Sequence, residues 1–274
     1  QENHGNHSIS DRPSWIPAFV DRIERVVLRD RNHASVIFWS LGNEGGSGQN
    51  FDAMYKRAKE LDSIRPIHYE GKNSIADIRS AMYSSIDDMT RIDNENSDKP
   101  YFICEYVHSM GNAMGNLAEY WDFIENKSQR TIGGCVWDWV DQGLNKYGEP
   151  DDRYYYGGDF GDKPNDGDFA CNGLTTPDRR ITAKLLEVKK VYQYVKFNPM
   201  ALVSGKIEID NRYNFTNLSN FDLKWEVIKN GIRHEEGTLN SLSLAPSEKM
   251  SLTIPFNRNL EPGNEYFLNV YLVL

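Results

Sequence analysis

The sequence predicts an α/β domain with a parallel sheet, followed by a smaller antiparallel β-sandwich. Over roughly the first 195 residues, short apolar runs alternate with segments whose apolar residues recur at helical spacing. This alternation is typical of parallel strands joined by helices. After Pro199 the apolar residues recur at every second position, as in antiparallel strands with one buried face. The 274 residues, 39% hydrophobic and 26% charged, suffice for one large and one small globular domain.

The helices and strands of the first domain follow from the spacing of its apolar residues. Helices are predicted at residues 15–27, 50–61, 116–126 and about 182–194. Buried strands are predicted at residues 34–41, 65–71, 78–84, 100–106 and 132–140. A segment from 138 to about 180 is rich in aromatic residues, glycine and aspartate, and its length indicates a functional loop.

The second domain is predicted from strands of period two. They lie at residues 206–213, 221–231, 235–242, 249–256 and 266–274. Asn230-Gly231 is a two-residue hairpin signal between two of them. We place the domain boundary between residues 197 and 198. The chain begins with Gln1 rather than Met and ends inside an apolar run, so we expect an excerpt of a longer protein, with the sandwich truncated at its C-terminal end.

Composition excludes several classes of function. The formal net charge of -9 gives no basic surface for nucleic acid or anionic lipid. No apolar run reaches the ~18 residues of a membrane span. Cys104, Cys135 and Cys171 form no C-x-x-C pair, so each is predicted to be a small buried hydrophobe. The cytoplasm and the periplasm both remain open as the compartment.

Two glutamates stand at the ends of predicted parallel strands. The stretch "SVIFWSLGNEGG" ends an apolar run at Glu44, and "PYFICEYVHSMGN" does the same at Glu105. The carboxyl ends of parallel strands meet at one rim, where barrel enzymes build their sites. Two carboxylates in different environments are the apparatus of glycoside hydrolysis. The alternative, that both are solvated strand-end residues, is about equally well supported by this pattern alone.

Aromatic residues near the same strand ends favour a carbohydrate site. Trp39, Tyr83, Trp137 and Trp139 lie at or next to predicted strand ends. Their flat faces suit the apolar face of a pyranose ring, although core packing is the commoner role of any single tryptophan. The alternation of aromatic and acidic residues in "VWDWVDQ" is harder to explain by packing.

A third candidate group is Glu2-x-His4 near the start of the chain. Alternate residues of a strand face the same way, so both side chains would be able to approach one cation together with Glu44. Two carboxylates and an imidazole suit magnesium or manganese. The motif is weak by itself, and two exposed terminal residues are its commoner explanation.

Several of these motifs, in this order, resemble bacterial β-galactosidases of glycoside hydrolase family two. They are "DRNHASVIFWSLGNEGGSGQNFDAMY", "RPIHYEG", "FICEYVHSMGN", "GGCVWDWVDQGL" and "YGGDFGDKPNDGDFACNGL". The resemblance is dense to about residue 195 and weaker beyond it. It implies an incomplete (β/α)8 TIM barrel, from the end of strand three through strand and helix eight, followed by an immunoglobulin-like sandwich. Ala34 stands where the family usually has proline.

The resemblance also implies roles for individual residues. Glu44 would be the acid/base and Glu105 the nucleophile of a retaining mechanism that acts on terminal β-galactosides. The remaining roles are substrate contacts by Asn43, Tyr83, His108 and Trp137, a Mg2+ site of Glu2, His4 and Glu44, and a Na+ site that includes the Phe169 carbonyl and Asn172. The full-length protein is expected to be a homo-oligomer.

Three other readings stay open. A related family-two glycosidase such as a β-glucuronidase would need a basic group for the sugar carboxylate, and the strand-end stretches "SLGNEGG", "CEYVHSMGN" and "VWDWVDQ" contain no Lys or Arg. A carbohydrate-binding module without catalysis would be natural if either glutamate were an amide, and neither is. An incomplete and therefore inactive fragment would describe this chain alone rather than its parent.

Overall fold

A computed structural model of the chain describes residues 9–150, 152–240 and 242–274, in two compact units that divide between Val191 and Tyr192. The first unit contains helices α1 (Ile16–Asp30), α2 (Asn50–Leu61), α3 (Ile86–Asp93), α4 (Leu117–Asn126) and α5 (Ala183–Val191). Its strands are β1 (Trp39–Ser40), β2 (Ile67–His68), β3 (Arg79–Met82), β4 (Tyr101–Tyr106) and β5 (Thr131–Val136). None of the described helices is long and apolar enough to cross a membrane.

The five strands of the first unit form a parallel series in chain order. β1 pairs with β2, and β3, β4 and β5 pair in that order, all in parallel. A parallel bridge between His68 and Ile78 links the end of β2 to the residue before β3. The carboxyl ends of all five strands therefore face the same rim. This arrangement confirms the predicted barrel segment.

The helices form where the apolar spacing predicts a buried face. α1 buries Phe19, Ile23 and Val27, which lie four positions apart. Phe19 packs edge-to-face against Phe51 of α2 with the ring centroids 5.3 Å apart. These side chains share one core with residues of β1 and β2. Helix α2 has the bounds that the sequence predicts, 50–61.

Two predictions of burial at the outer strands are wrong. The predicted strand at residues 34–41 is reduced to β1, and Ile37 before it is 70% exposed. On β5, Ile132 is 53% exposed and Cys135 is exposed rather than buried. Among the described residues, β1 and β5 each pair with a strand on one side only. They are less covered than the interior strand β4, in which four of six residues are buried.

The second unit is a sandwich of two three-stranded antiparallel sheets, as predicted. One sheet has the order β10 (Lys249–Thr253), β7 (Lys206–Asn211), β6 (Val195–Ala201). The other has the order β11 (Tyr266–Val273), β8 (Asp222–Lys229), β9 (Ile232–Leu239). Residues of both sheets share one core, which includes Ile207, Ile209, Leu223, Trp225 and Val227.

The predicted hairpin joins β8 to β9. Asn230 and Gly231 have φ values of 51° and 81°, the left-handed conformations that a tight two-residue hairpin turn requires. Strand β6 was not predicted, because its residues follow a helix that the sequence extends to about Tyr194. Its Pro199 is tolerated because β6 lies at the edge of its sheet.

Candidate active site

Glu44 lies four residues beyond the end of β1, on the rim of the parallel strands. Its side chain is exposed and Asn43 before it is half-buried. The backbone of Glu44 has φ 45°, in the left-handed region that non-glycine residues seldom adopt. Its main-chain N–H donates to Oε1 of Glu70 at 2.7 Å. The apolar run therefore ends at Asn-Glu because the chain turns sharply at the rim and presents the carboxylate to solvent.

Glu105 lies within β4 and is only 8% exposed. Tyr83, just beyond β3, donates its hydroxyl to Oε2 of Glu105 at 3.0 Å, and its main-chain N–H donates to the Glu105 carbonyl at 2.7 Å. The backbone of Tyr83, like that of Glu44, is in the left-handed region, with φ 52°. The neighbouring strand end therefore holds the Glu105 carboxylate in a fixed, largely buried position.

The Tyr83 hydroxyl lies in partly buried, negatively charged surroundings. Burial raises the pKa of the Tyr83 hydroxyl, and the hydrogen bond to Glu105 and the charges of Glu105 and Glu44 raise it further. Tyr83 therefore remains a protonated donor at neutral pH. The hydrogen bond places the Glu105 carboxylate at this phenol, and Glu44 stands on the same rim of the parallel strands.

Aromatic rings extend the rim beyond Tyr83. The ring of His108 lies between those of Tyr83 and Phe169, with centroid distances of 6.0 and 5.8 Å. Trp137 follows β5 and is half-buried. Its main-chain N–H donates to the Tyr106 carbonyl at 3.0 Å. The structure thus brings together three of the predicted substrate contacts or ligands, from three different loops.

The two other tryptophans of the predicted aromatic set differ in burial. Trp39 is 3% exposed and donates through Nε1 to Asp62 at 3.1 Å, so it is a core residue and takes the commoner of the two predicted roles. Trp139 is 57% exposed, two residues beyond Trp137.

The long segment that follows β5 is closed at its base by main-chain hydrogen bonds. The N–H of Asp138 donates to the Asn172 carbonyl at 2.8 Å, and the N–H of Leu174 donates to the Asp138 carbonyl at 2.9 Å. The N–H of Gly173 donates to the Asp141 carboxylate at 2.8 Å. The segment therefore leaves the rim and returns to it, which brings Phe169 and Asn172 back beside the strand ends.

Asn172 provides a buried oxygen with no protein donor. The residue is 2% exposed, and its Nδ2 donates to the Phe169 carbonyl at 3.1 Å. Its Oδ1 is buried and accepts no hydrogen bond from any described residue. A buried acceptor costs free energy when it has no partner. A buried oxygen of this kind fits a hard cation such as sodium, which takes oxygen ligands, and the Phe169 carbonyl lies next to the same side chain.

The predicted magnesium site is described only in part. Glu2 and His4 lie outside the described residues, so Glu44 is the one member whose position is known. Within residues 9–150, 152–240 and 242–274, no group of three His, Cys, Asp or Glu side chains is placed to hold a metal ion. The chemistry of the three predicted side chains, two carboxylates and an imidazole, suits magnesium.

Sequence reasoning missed Glu70 as a site residue. It lies at the end of β2, in the turn Glu70–Lys72, and its carboxylate accepts the Glu44 N–H. Burial raises the pKa of this carboxyl group, and the charge of Glu44 also raises it. Glu70 follows the end of β2, just as Glu44 follows β1 and Tyr83 follows β3, and this position was the sequence signal that could have identified it as a site residue.

His68, two residues earlier, is also buried at the rim side of the sheet. It is 4% exposed, and its Nδ1 lies 3.0 Å from the Ser40 hydroxyl. Burial lowers its pKa to about 4, so the ring is neutral at physiological pH. It packs against Phe38 and Phe102, and we assign it to the core.

A segment of a parallel barrel that presents two rim carboxylates beside aromatic rings is typical of enzymes that cleave glycosidic bonds. Comparison with known proteins identifies the family. The family model "Glycosyl hydrolases family 2, TIM barrel domain" matches residues 1–197, and "Beta-galactosidase, domain 4" matches residues 207–274. The chain therefore belongs to glycosyl hydrolase family two.

The relatives are longer than this chain. It is 40% identical to a β-galactosidase of Priestia megaterium, with 100% of the chain and 27% of that protein aligned. It is 38% identical to a β-galactosidase of Pectobacterium atrosepticum, covering 99% of the chain and 28% of the relative. Among solved structures, a Bacteroides uniformis β-glucuronidase matches at 14% identity and a TM-score of 0.46, over 96% of this chain and 37% of the other. The chain thus spans about a quarter of the length of the two β-galactosidases.

Proposed function

We propose that the protein of which this chain is part hydrolyses terminal β-galactosides with retention of configuration. Glu105 is the nucleophile and Glu44 the acid/base. The observation that carries the proposal is the pair of rim carboxylates with contrasting surroundings. Glu105 is buried and held by the Tyr83 hydroxyl, whereas Glu44 is exposed at a sharp turn. Such a contrast lets two glutamates take different roles in one reaction.

In the first half of the reaction, a carboxylate oxygen of Glu105 attacks the anomeric carbon. The bond to the glycosidic oxygen breaks, its electron pair stays on that oxygen, and Glu44 gives it a proton. In the second half, the Glu44 carboxylate takes a proton from water, and the water oxygen attacks the anomeric carbon. The ester bond breaks and its electron pair returns to Glu105. This double displacement needs the two carboxyl groups ~5–5.5 Å apart.

Tyr83 serves the nucleophile in this scheme. Its raised pKa keeps it protonated, so it donates to one oxygen of Glu105 and fixes the orientation of the carboxylate. The same hydrogen bond is available to the carboxylate when it leaves the sugar in the second half-reaction. Tyr83 therefore orients the attacking group rather than supplying a proton.

The other rim residues would bind the sugar. We assign Asn43 to the 2-hydroxyl, His108 to another hydroxyl and Trp137 to the face of the galactose ring. Phe169 and Asn172 would hold a sodium ion, which when bound would offer a ligand position to the galactosyl 6-hydroxyl. The partnerless oxygen of Asn172 supports this assignment.

Glu2, His4 and Glu44 would hold magnesium. The ion, when bound, would supply positive charge next to the acid/base. The exposed carboxylate of Glu44 is compatible with such a ligand role. Glu2 and His4 would in this way help to orient the Glu44 carboxylate toward the glycosidic oxygen.

The proposal is tested by replacing Glu105 with glycine in a full-length enzyme that carries this sequence. Turnover of aryl β-galactosides should fall to background, because the nucleophile is missing. Added azide, which fits the space left by the carboxylate, should restore reaction and give the inverted α-galactosyl azide, identified by NMR.

The matched control is Glu149→Gly, which removes an exposed glutamate from the long segment after β5. This variant should keep hydrolysing galactosides and form no azide product. A β-azide from Glu105→Gly would remove Glu105 from the nucleophile role. Faster hydrolysis of aryl β-glucuronides than of β-galactosides by the unaltered enzyme would contradict the proposed substrate.

A further inference from the structure

The four residues that follow β2 contact the loop that carries Glu44 at three points. Tyr69 donates its hydroxyl to the Gly46 carbonyl at 2.5 Å, and Glu70 accepts the Glu44 N–H at 2.7 Å. Lys72 donates to the Gly48 carbonyl at 3.5 Å. These contacts are spread over the loop from Glu44 to Gly48. Residues 69–72 therefore fix the path of this loop over its whole length.

This segment is itself rigidly packed. Tyr69 is 0% exposed, and its ring stacks on that of Phe51 with the centroids 4.0 Å apart. A Cβ atom at Gly71 would lie 2.6 Å from the Tyr69 hydroxyl oxygen and 2.9 Å from the Gly46 carbonyl oxygen. Only glycine lets the two stretches of chain approach this closely. The segment is thus a fixed support for the loop.

Glu70 is the unusual member of this support. It is half-buried, and its Oε2 is shielded from solvent and accepts no hydrogen bond from the described residues. It lies next to a second carboxylate, that of Glu44, whose charge disfavours a second anion nearby. Burying a carboxylate in such a place costs free energy that its hydrogen bonds must offset.

The contact of Glu70 explains why an acceptor is needed here. Glu44 has φ 45°, a conformation that L-residues avoid. Its N–H is bound by a carboxylate, and charge-assisted hydrogen bonds are shorter and stronger than neutral ones. The bond at 2.7 Å therefore opposes relaxation of the Glu44 peptide to a commoner conformation.

We propose that Glu70 is a positioning residue for the acid/base. By holding the main chain of Glu44, it directs the Glu44 side chain toward the glycosidic oxygen. The inference rests on the proposed function, because it concerns the proton transfers that Glu44 performs there. Glu70 itself touches neither the sugar nor the reacting atoms.

The test replaces Glu70 by alanine in a full-length enzyme that carries this sequence. The kcat/KM for lactose, whose leaving group needs protonation, should fall at least ~100-fold, within the range for loss of general acid catalysis. The kcat/KM for dinitrophenyl β-galactoside, whose leaving group needs no proton, should fall less than about tenfold. Azide needs no general base, so it should raise kcat for the dinitrophenyl substrate and give the β-galactosyl azide.

Two further variants keep the test decisive. Glu70→Gln retains a carbonyl oxygen for the Glu44 N–H and should recover most of the activity on lactose. Glu70→Asp keeps the charge but is one methylene shorter, so it should show a smaller loss with the same dependence on the leaving group. If the alanine variant fails to fold, the aspartate variant carries the comparison.

The matched control is Glu235→Ala in the sandwich. Glu235 is also half-buried and accepts a main-chain N–H, that of Asn257, at 2.8 Å. This variant should lower the melting temperature without changing the ratio of the two kcat/KM values. Equal losses on both substrates in Glu70→Ala or Glu70→Asp, without azide rescue, would overturn the positioning role. If the unaltered enzyme hydrolyses neither substrate, the proposed function itself fails instead.

Discussion

At the scale of single residues, the site depends on how differently the protein surrounds two glutamates. Glu105 is part of a strand, 8% exposed, with Tyr83 hydrogen-bonded to its carboxylate. Glu44 stands beyond the end of a strand, in a left-handed turn and exposed. A fixed and buried carboxylate suits attack on carbon, whereas an exposed one can exchange protons with water. The contrast distinguishes the two glutamates, and the family resemblance supplies the proposed roles of nucleophile for Glu105 and acid/base for Glu44.

The proposed acid/base role of Glu44 predicts a loss of activity that depends on the leaving group. In Glu44→Gln, the proton donor is lost, so formation of the galactosyl-enzyme from lactose should slow by ~100- to 10,000-fold. Aryl galactosides with acidic phenols should suffer much less in the same step. Pre-steady-state release of the phenol measures this step directly. Equal losses on lactose and on the aryl galactosides would argue against the assignment.

The sequence pattern pointed to Glu44, Glu105 and Tyr83 because each stands at the end of a predicted apolar strand, whereas His108 and Phe169 came from the family resemblance. Tyr83, His108 and Phe169 were also expected at the site, and their rings pack in one row. Glu70 was missed because its bond is to the main-chain N–H of Glu44, 26 positions away. The strand-end position of Glu70 marks it as a rim residue, but a main-chain donor has no sequence signature, so only the folded chain reveals the contact itself.

At the scale of elements, the site depends on how loops return to the rim. The segment after β5 leaves at Asp138 and returns at Asn172, where main-chain hydrogen bonds join the two ends. At the point of closest approach, a Cβ atom at Gly173 would lie 2.0 Å from the Asp141 nitrogen and 2.2 Å from the Val140 carbonyl carbon. The neighbours are backbone atoms, so they cannot move aside without opening the base of the segment.

Gly173→Ala is therefore expected to displace Asn172 from the rim. We predict a loss of stability on the order of 1–3 kcal/mol, typical of overpacking, and about a tenfold rise in KM for galactosides. Gly115→Ala is the matched control, because a Cβ atom there meets nothing within 4 Å. Thermal unfolding and steady-state kinetics of both variants make the comparison. An unchanged KM in a destabilised Gly173→Ala variant would show that the segment does not contribute to sugar binding.

The elements also show where sequence patterns are sufficient. Helix α2 was predicted with its observed bounds because it buries Phe51, Met54 and Ala58 at helical spacing. Helix α3 was missed because its eight residues bury only two apolar side chains. Its Ser85–Asp88 capping box was the signal that remained. Strand β1 was overestimated, since only Trp39 and Ser40 of the apolar run pair with the neighbouring strand.

At the scale of the whole molecule, the chain carries the rim of five parallel strands and a sandwich, and it spans about a quarter of its relatives. The order of the α/β domain and the sandwich was predictable because the spacing of apolar residues differs between helices and antiparallel strands. Whether the full-length protein is a homo-oligomer, which β-galactoside it prefers and in which compartment it works stay predictions. These properties depend on surfaces and substrates, and the spacing of apolar residues in this sequence carries no information about them.

The magnesium site is the prediction that links the start of the chain to the rim. If Glu2, His4 and Glu44 hold one ion, a chelator should lower the activity of the full-length enzyme, and added magnesium should restore it. The expected reason is that the ion, when bound, would help to hold the Glu44 carboxylate in place, so that its removal would leave Glu44 less well placed. Glu2→Ala should start from low activity and respond little to chelator or magnesium. His7→Ala, which removes a histidine of the same stretch outside the Glu-x-His spacing, should respond like the unaltered enzyme. Activity that is indifferent to chelator would return Glu2 and His4 to the simpler interpretation of exposed residues near the start of the chain.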